Sequence, residues 1–162
     1  MSSLSCNDVV YGLLKCELVH QWCLVREDSM RSLEESEMQV AGYMAMGAVR
    51  HIYWIARTIK MDGLAAEIGE WFADRWRLEV AEPSRKIDGS LESHWIVAKE
   101  EFIRAACDPA TKNGDPEELV ALGAVRVIYK MGRCLGKPAL TLEIGNWWHA
   151  THAHHGLGRA IA

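Results

Sequence analysis

The chain has 162 residues, a formal net charge of −4 at neutral pH and 49% apolar residues. Its length fits one domain or two small fused ones, and it suffices for a core without disulfides or structural metals. The acidic balance argues against a broad binder of nucleic-acid backbones, which would carry a basic surplus. No apolar run reaches the roughly 18 residues of a membrane span, and the five cysteines form no CxxC pair. We therefore expect a cytoplasmic protein that is not bound to a membrane.

The predicted elements are all helices, because apolar residues recur every three or four positions and β-type alternation is weak. The first helix is expected to begin after Asn7 or Asp8, and the second at a capping box formed by Ser32 and Glu35. Pro116 is expected at the first helical position of the fifth helix. In chain order, the six predicted helices cover about 8–26, 32–60, 64–78, 91–107, 116–135 and 139–151.

An internal repeat joins the two halves of the chain. Residues 47–71 recur at 123–147, 76 positions later and without a gap, and 12 of these 25 positions are identical. The shared pattern is G-A-V-R-x-I-Y-x-x-x-R, then Leu, then E-I-G-x-W. Trp22 and Trp95 also correspond, at the slightly different offset of 73. Such self-similarity is typical of a duplicated structural unit.

The predicted fold is therefore an all-α bundle of about six helices, built from two three-helix units with a pseudo-twofold relation. The first unit is predicted to cover residues 1–79, the linker 80–90 and the second unit 91–162, packed as one globular domain. The linker carries Pro, Gly, Ser and charged residues without helical periodicity.

The glycines that recur in both copies predict close helix contacts, since a glycine inside a helix costs about 1 kcal/mol relative to alanine. They form two pairs, Gly47 with Gly123 and Gly69 with Gly145. The cysteines Cys16 and Cys23 are seven positions apart, and we expect both in the core. The seven tryptophans have two interpretations, which are thick helix packing and an exposed partner surface.

The repeated arginines also have two interpretations. In each copy two arginines seven positions apart share a helical face, and a glutamate, Glu67 or Glu143, follows across the turn. They form either an Arg–Glu clamp within each hairpin or an anion-binding pair. Trp54 lies between two arginines, either as an exposed hot spot or as a half-buried ring under Arg50. The predicted partner-binding residues are Arg50, Trp54, Arg57, Arg126, Lys130 and Arg133.

A metal site is the alternative to a binding surface. His149 and His152 share a helical face and have the ligand chemistry for Zn²⁺, and Glu67, Glu70 and Asp74 lie on one face that suits Mg²⁺. This acidic segment is similar to the all-α nucleotide pyrophosphohydrolases of the MazG and dimeric dUTPase type. The resemblance covers one helix and implies a metal-dependent hydrolase. The EExxE arrangement of that family is missing, and the second copy has Asn146 in place of the second acid.

The function expected from these observations is a non-enzymatic, helical protein-binding module without a cofactor. Its partner is expected to be a protein rather than a nucleic acid, with a homodimer as an open alternative. Small helical proteins without catalytic motifs include inhibitors that phages and mobile elements direct against host machinery, such as anti-CRISPR proteins, and this chain has that character. The hydrolase centred on the acidic helix or the C-terminal histidines is the alternative function.

Overall fold

The computed structural model describes residues 6–29, 35–108 and 116–155, with side chains given for 8–29, 40–108 and 116–151. Within these ranges the chain forms six helices and no strand, so the all-α prediction is confirmed. The helices are α1 (Cys6–Ser29), α2 (Glu35–Thr58), α3 (Asp62–Trp76), α4 (Leu91–Cys107), α5 (Pro116–Cys134) and α6 (Pro138–His155). None of the helices in the described ranges has the length and apolar character needed to cross a bilayer. The N-cap residue predicted at Ser32 lies outside the described residues.

Two helix hairpins, α2–α3 and α5–α6, turn in the same way. Lys60 and Gly136 both adopt left-handed backbone conformations, with φ of 60° and 66°. In each turn the next N–H donates to a carbonyl of the last helical turn: Met61 N–H to the Ala56 carbonyl at 2.8 Å, and Lys137 N–H to the Gly132 carbonyl at 2.9 Å. This is the αL helix stop that satisfies terminal carbonyls.

The close approach of α2 and α5 forms the centre of the bundle. A Cβ added at Gly47 would overlap the Val120 carbonyl, and one added at Gly123 would overlap the Met44 carbonyl. The predicted close contact is therefore confirmed for this pair. It is wrong for the other pair, because a Cβ at Gly145 would meet nothing within 4 Å and one at Gly69 would make an ordinary 3.4 Å contact with the Tyr53 ring.

A single buried cluster draws residues from all six helices, and tryptophans are prominent in it. Trp22 and Trp71 meet edge to face with ring centroids 5.2 Å apart, and Trp95 and Trp147 repeat this contact at the same separation. Helix packing is thus the interpretation that describes these rings. The expectation that Cys16 lies in the core is wrong, since its side chain is exposed.

The glutamates of the repeat connect helices rather than closing their own hairpins. Trp22 Nε1–H donates to Glu67 Oε1 at 3.2 Å, and Trp95 Nε1–H donates to Glu143 Oε1 at 3.0 Å. Each glutamate therefore joins the last helix of its half to the first. The predicted Arg–Glu clamp within each hairpin is wrong, because the first helix of each half supplies the partner.

Candidate functional site

The predicted binding residues on α2 are occupied by contacts inside the chain. Arg50 lies 3.4 Å from Glu101 and stacks over Trp54, its guanidinium carbon 5.0 Å from the ring centroid. Trp54 is 4% exposed and donates its indole N–H to the Ala81 carbonyl. Arg57 pairs with Glu82 at 3.1 Å. Trp54 thus has the packed position under Arg50 that was one of its two interpretations.

The corresponding residues on α5 form no such ion pairs in the part of the chain that the structure describes. Among the described residues, no carboxylate forms an ion pair with Arg126, Lys130 or Arg133. The buried Arg126 Nε–H has no hydrogen-bond acceptor, which is also true of Arg50 Nε–H. Arg133 stacks on Tyr129 at 5.9 Å, as Arg57 does on Tyr53 at 5.7 Å, but without the glutamate. Spacings of four and three residues place the three cations on one face of α5.

An open groove lies beside these cations, between α1, α2 and α5. Its cavity volume is about 650 Å³, and apolar side chains dominate its walls. Leu24 and Val25 come from α1, Val40 and Met44 from α2, and Val127 from α5. Arg126 and Lys130 place their charges at this apolar space. We call it the α1–α2–α5 groove.

The matching positions in the other half are filled. The repeat offsets pair Gln21 with His94, Val127 with His51 and Lys130 with Trp54. His51, His94 and Trp54 are buried, and the His51 ring contacts both of the others, with centroids 4.7 Å from Trp54 and 5.2 Å from His94. Where three rings pack in one half, a glutamine, a valine and a lysine leave the groove open in the other.

Charge within the groove is incompletely balanced. Burial lowers the pKa of Lys130, repulsion from Arg126 lowers it further, and Asp28 opposes the shift. A neighbouring cation and partial desolvation both make the charged lysine less favourable. An anion placed between Arg126 and Lys130 would relieve this repulsion.

The filled counterpart holds a buried histidine pair. The Nδ1 atoms of His51 and His94 lie 3.0 Å apart, and His51 Nε2 lies 3.9 Å from Glu101 Oε2. We assign the Nε2 proton to His51, facing the carboxylate, so that His94 Nδ1–H donates to His51 Nδ1. Burial lowers the pKa of His94 to about 3 and also lowers that of His51, which Glu101 partly offsets.

The described residues that were predicted for metal chemistry lie exposed on α3 and α6 and do not come together. Glu67, Glu70 and Asp74 are exposed on α3, and Glu67 is engaged by Trp22 and by Arg26 at 3.0 Å. His149 is exposed, and the side chain of His152 lies outside the described residues. In the described part of the chain, no three His, Cys, Asp or Glu residues come together as a metal site. The hydrolase alternative gains no geometric support there.

In comparison with known proteins, no protein-family model, curated protein or solved structure matches this chain.

The sequence pattern predicts a binding surface that includes Arg126, Lys130 and Arg133, but it does not by itself predict the groove beside them. The signal for the groove lies in the residue types at Gln21, Val127 and Lys130. These residues carry no ring, whereas the matching positions of the other half do, and this difference is visible when the two halves are aligned.

Proposed function

We propose that the protein is a non-enzymatic protein-binding module, and that the α1–α2–α5 groove with its α5 cations is its binding surface. The observation that carries the proposal is that Arg126, Lys130 and Arg133 form no ion pair within the described part of the chain, although Asp28 attracts Lys130, whereas Arg50 and Arg57 are paired with Glu101 and Glu82. Half-buried cations at an apolar groove favour a ligand that supplies both apolar and anionic groups.

The proposed ligand is a protein segment with apolar side chains on one face and carboxylates at its edge. An amphipathic helix in a groove meets this description, because its apolar residues recur at a spacing that follows the groove. Inhibition of a partner by covering its surface is one way such a module acts, and the inhibitor role expected from the sequence belongs to this proposal.

The proposed architecture is a duplicated three-helix unit, with units at 1–79 and 91–162 joined by 80–90. Three features that occur once in each half support it. They are the close helix contacts at Gly47 and Gly123, the Trp22–Glu67 and Trp95–Glu143 hydrogen bonds, and the left-handed turns at Lys60 and Gly136. Under this proposal the groove is a site that one unit fills and the other leaves open.

Binding of a designed helical peptide tests the proposed function. The probe has leucine on one face and glutamate at its edges, and a second version carries lysine in place of glutamate. We expect the acidic version to bind and the Arg126→Gln/Lys130→Gln variant to weaken binding by about tenfold or more, as fluorescence anisotropy measures.

The matched control removes the same charge elsewhere. Arg57 and Arg85 each pair with an exposed glutamate, Glu82 and Glu100, so Arg57→Gln/Arg85→Gln should leave peptide affinity unchanged. Equal losses in the two variants would mean that net charge alone attracts the peptide. Equal binding of the acidic and basic peptides would reject the proposed surface.

A further inference from the structure

Matching contacts in the two halves support the alignment of α1 with α4. At the offset of 73, Trp22 corresponds to Trp95. At the same offset, Arg26 corresponds to Lys99. Each tryptophan donates its indole N–H to the glutamate of its own half. Each cation lies over that tryptophan ring and near the same glutamate, with nitrogen-to-oxygen distances of 3.0 Å for Arg26 and 4.0 Å for Lys99. The side chains of α1 and α4 can therefore be compared position by position.

The α1–α2–α5 groove lies at the positions where the other half packs aromatic rings. Four residues that line the groove match that ring cluster, and they are Arg126, Val127, Lys130 and Gln21. In the filled half, their counterparts are Arg50, His51, Trp54 and His94. The Arg50 guanidinium carbon lies 5.0 Å from the Trp54 ring centroid, and the His51 ring contacts both other rings. The open half thus keeps the arginine and replaces the three rings below it.

Arg126 keeps the position of Arg50 without its two contacts. Arg50 stacks on Trp54 and pairs with Glu101 at 3.4 Å. Within the described ranges, Arg126 forms no ion pair, and no aromatic ring lies under its guanidinium. A guanidinium group is planar and weakly hydrated, so it stacks favourably on the face of an aromatic ring. A ring that entered the groove below Arg126 would therefore make the contact that Trp54 provides in the other half.

We propose that the partner segment is anchored in the α1–α2–α5 groove by an aromatic side chain that stacks under Arg126. This inference rests on the proposed function, since it names the anchor of the same ligand. The filled half is the template, because its rings occupy the corresponding space within one chain. The apolar walls from Leu24, Met44 and Val127 accept the edges of the ring. Aromatic side chains bury a large area with few rotatable bonds, which suits them as anchors of a bound segment.

Three versions of the acidic helical peptide test the aromatic anchor on the wild-type protein. They carry leucine, cyclohexylalanine or phenylalanine at the central apolar position and are otherwise identical. Cyclohexylalanine matches the size of phenylalanine but has no π face, so burial of apolar area alone would give it at least equal affinity. We expect the phenylalanine peptide to bind about threefold or more tighter than the cyclohexylalanine peptide, as fluorescence anisotropy measures. The leucine peptide reports on the groove itself.

Two variants locate the ring. In Arg126→Gln the preference for phenylalanine over cyclohexylalanine should disappear, because the guanidinium that stacks on the ring is gone. Arg133→Gln is the matched control, since Arg133 is a cation on the same face of α5 that stacks on Tyr129 and does not line the groove. This variant should keep the preference. Circular dichroism checks that both variants are folded.

The outcomes separate this inference from the proposed function. Equal or tighter binding of the cyclohexylalanine peptide by the wild type would overturn the aromatic anchor, whether or not the variants fold. A phenylalanine preference that survives in folded Arg126→Gln, or that is lost equally in Arg133→Gln, would also overturn it. In these cases, binding of the leucine peptide would leave the proposed function in place. A wild type that binds none of the three peptides would overturn both.

Discussion

Gly47→Ala is expected to lower the free energy of unfolding by about 2–4 kcal/mol, with a similar effect for Gly123→Ala. The reason is direct overlap, because the new methyl group would meet the carbonyl of Val120 or of Met44 on the facing helix. Backbone atoms cannot rotate away as a flexible side chain can. α2 and α5 would therefore have to separate, which opens the packing at the centre of the bundle.

The matched control is Gly42→Ala in the same helix. A Cβ at Gly42 meets nothing within 4 Å, and alanine is favoured over glycine inside a helix by about 1 kcal/mol. Urea unfolding should therefore show stabilisation or no change for this variant. Equal stability changes in Gly42→Ala and Gly47→Ala would contradict the close α2–α5 contact.

The second large effect is a loss of stability in mild acid, caused by the His51–His94 pair. Because folding lowers the pKa of His94 from 6.5 to about 3, the unfolded chain binds the proton more tightly. This stability is fully present above about pH 6.5 and is lost as the pH falls towards 3. From pH 7.5 to 5.0 the expected loss from His94 is about 2 kcal/mol, and His51 acts in the same direction.

Other charged groups face the histidine pair, so the experiment has to separate their titration from that of the histidines. Arg50 and Glu101 lie beside His51, and Asp88 interacts with His94. At pH 5.0 the loss through carboxylate protonation is still small, because the unfolded-chain pKa values of Glu101 and Asp88, 4.5 and 3.8, lie below this pH and folding lowers both. His51→Leu/His94→Leu should remove most of the pH dependence in urea unfolding, whereas His20→Leu, at a 57% exposed side chain, should retain it. An unchanged slope in the double variant would reject this assignment.

Much of the fold follows from local sequence. Helical periodicity and Pro116 as a helix start depend on neighbouring residues, so they could be predicted. The Gly47–Gly123 contact was also accessible, because the repeat gives the same costly glycine twice. The partners of Arg50 and Arg57 were not, since Glu101 and Glu82 come from α4 and from the linker, whose positions depend on tertiary packing.

The groove shows where sequence reasoning ends. Its volume results from residues on separate helices, Gln21 on α1 and Val127 and Lys130 on α5, which leave space that rings occupy in the other half. Periodicity places each residue on a face but does not give the distance between faces. The same limit applied to Trp54, whose neighbours suggested exposure as readily as burial.

The measurement that tests the central claim most directly is calorimetric titration of the acidic helical peptide into a Lys130→Trp variant. This change gives the groove the side chain found at the matching position of the filled half, Trp54. We predict a folded protein of unchanged or higher stability that no longer binds the peptide. A folded Lys130→Trp variant that binds the peptide as tightly as the wild type would contradict the groove as the binding surface.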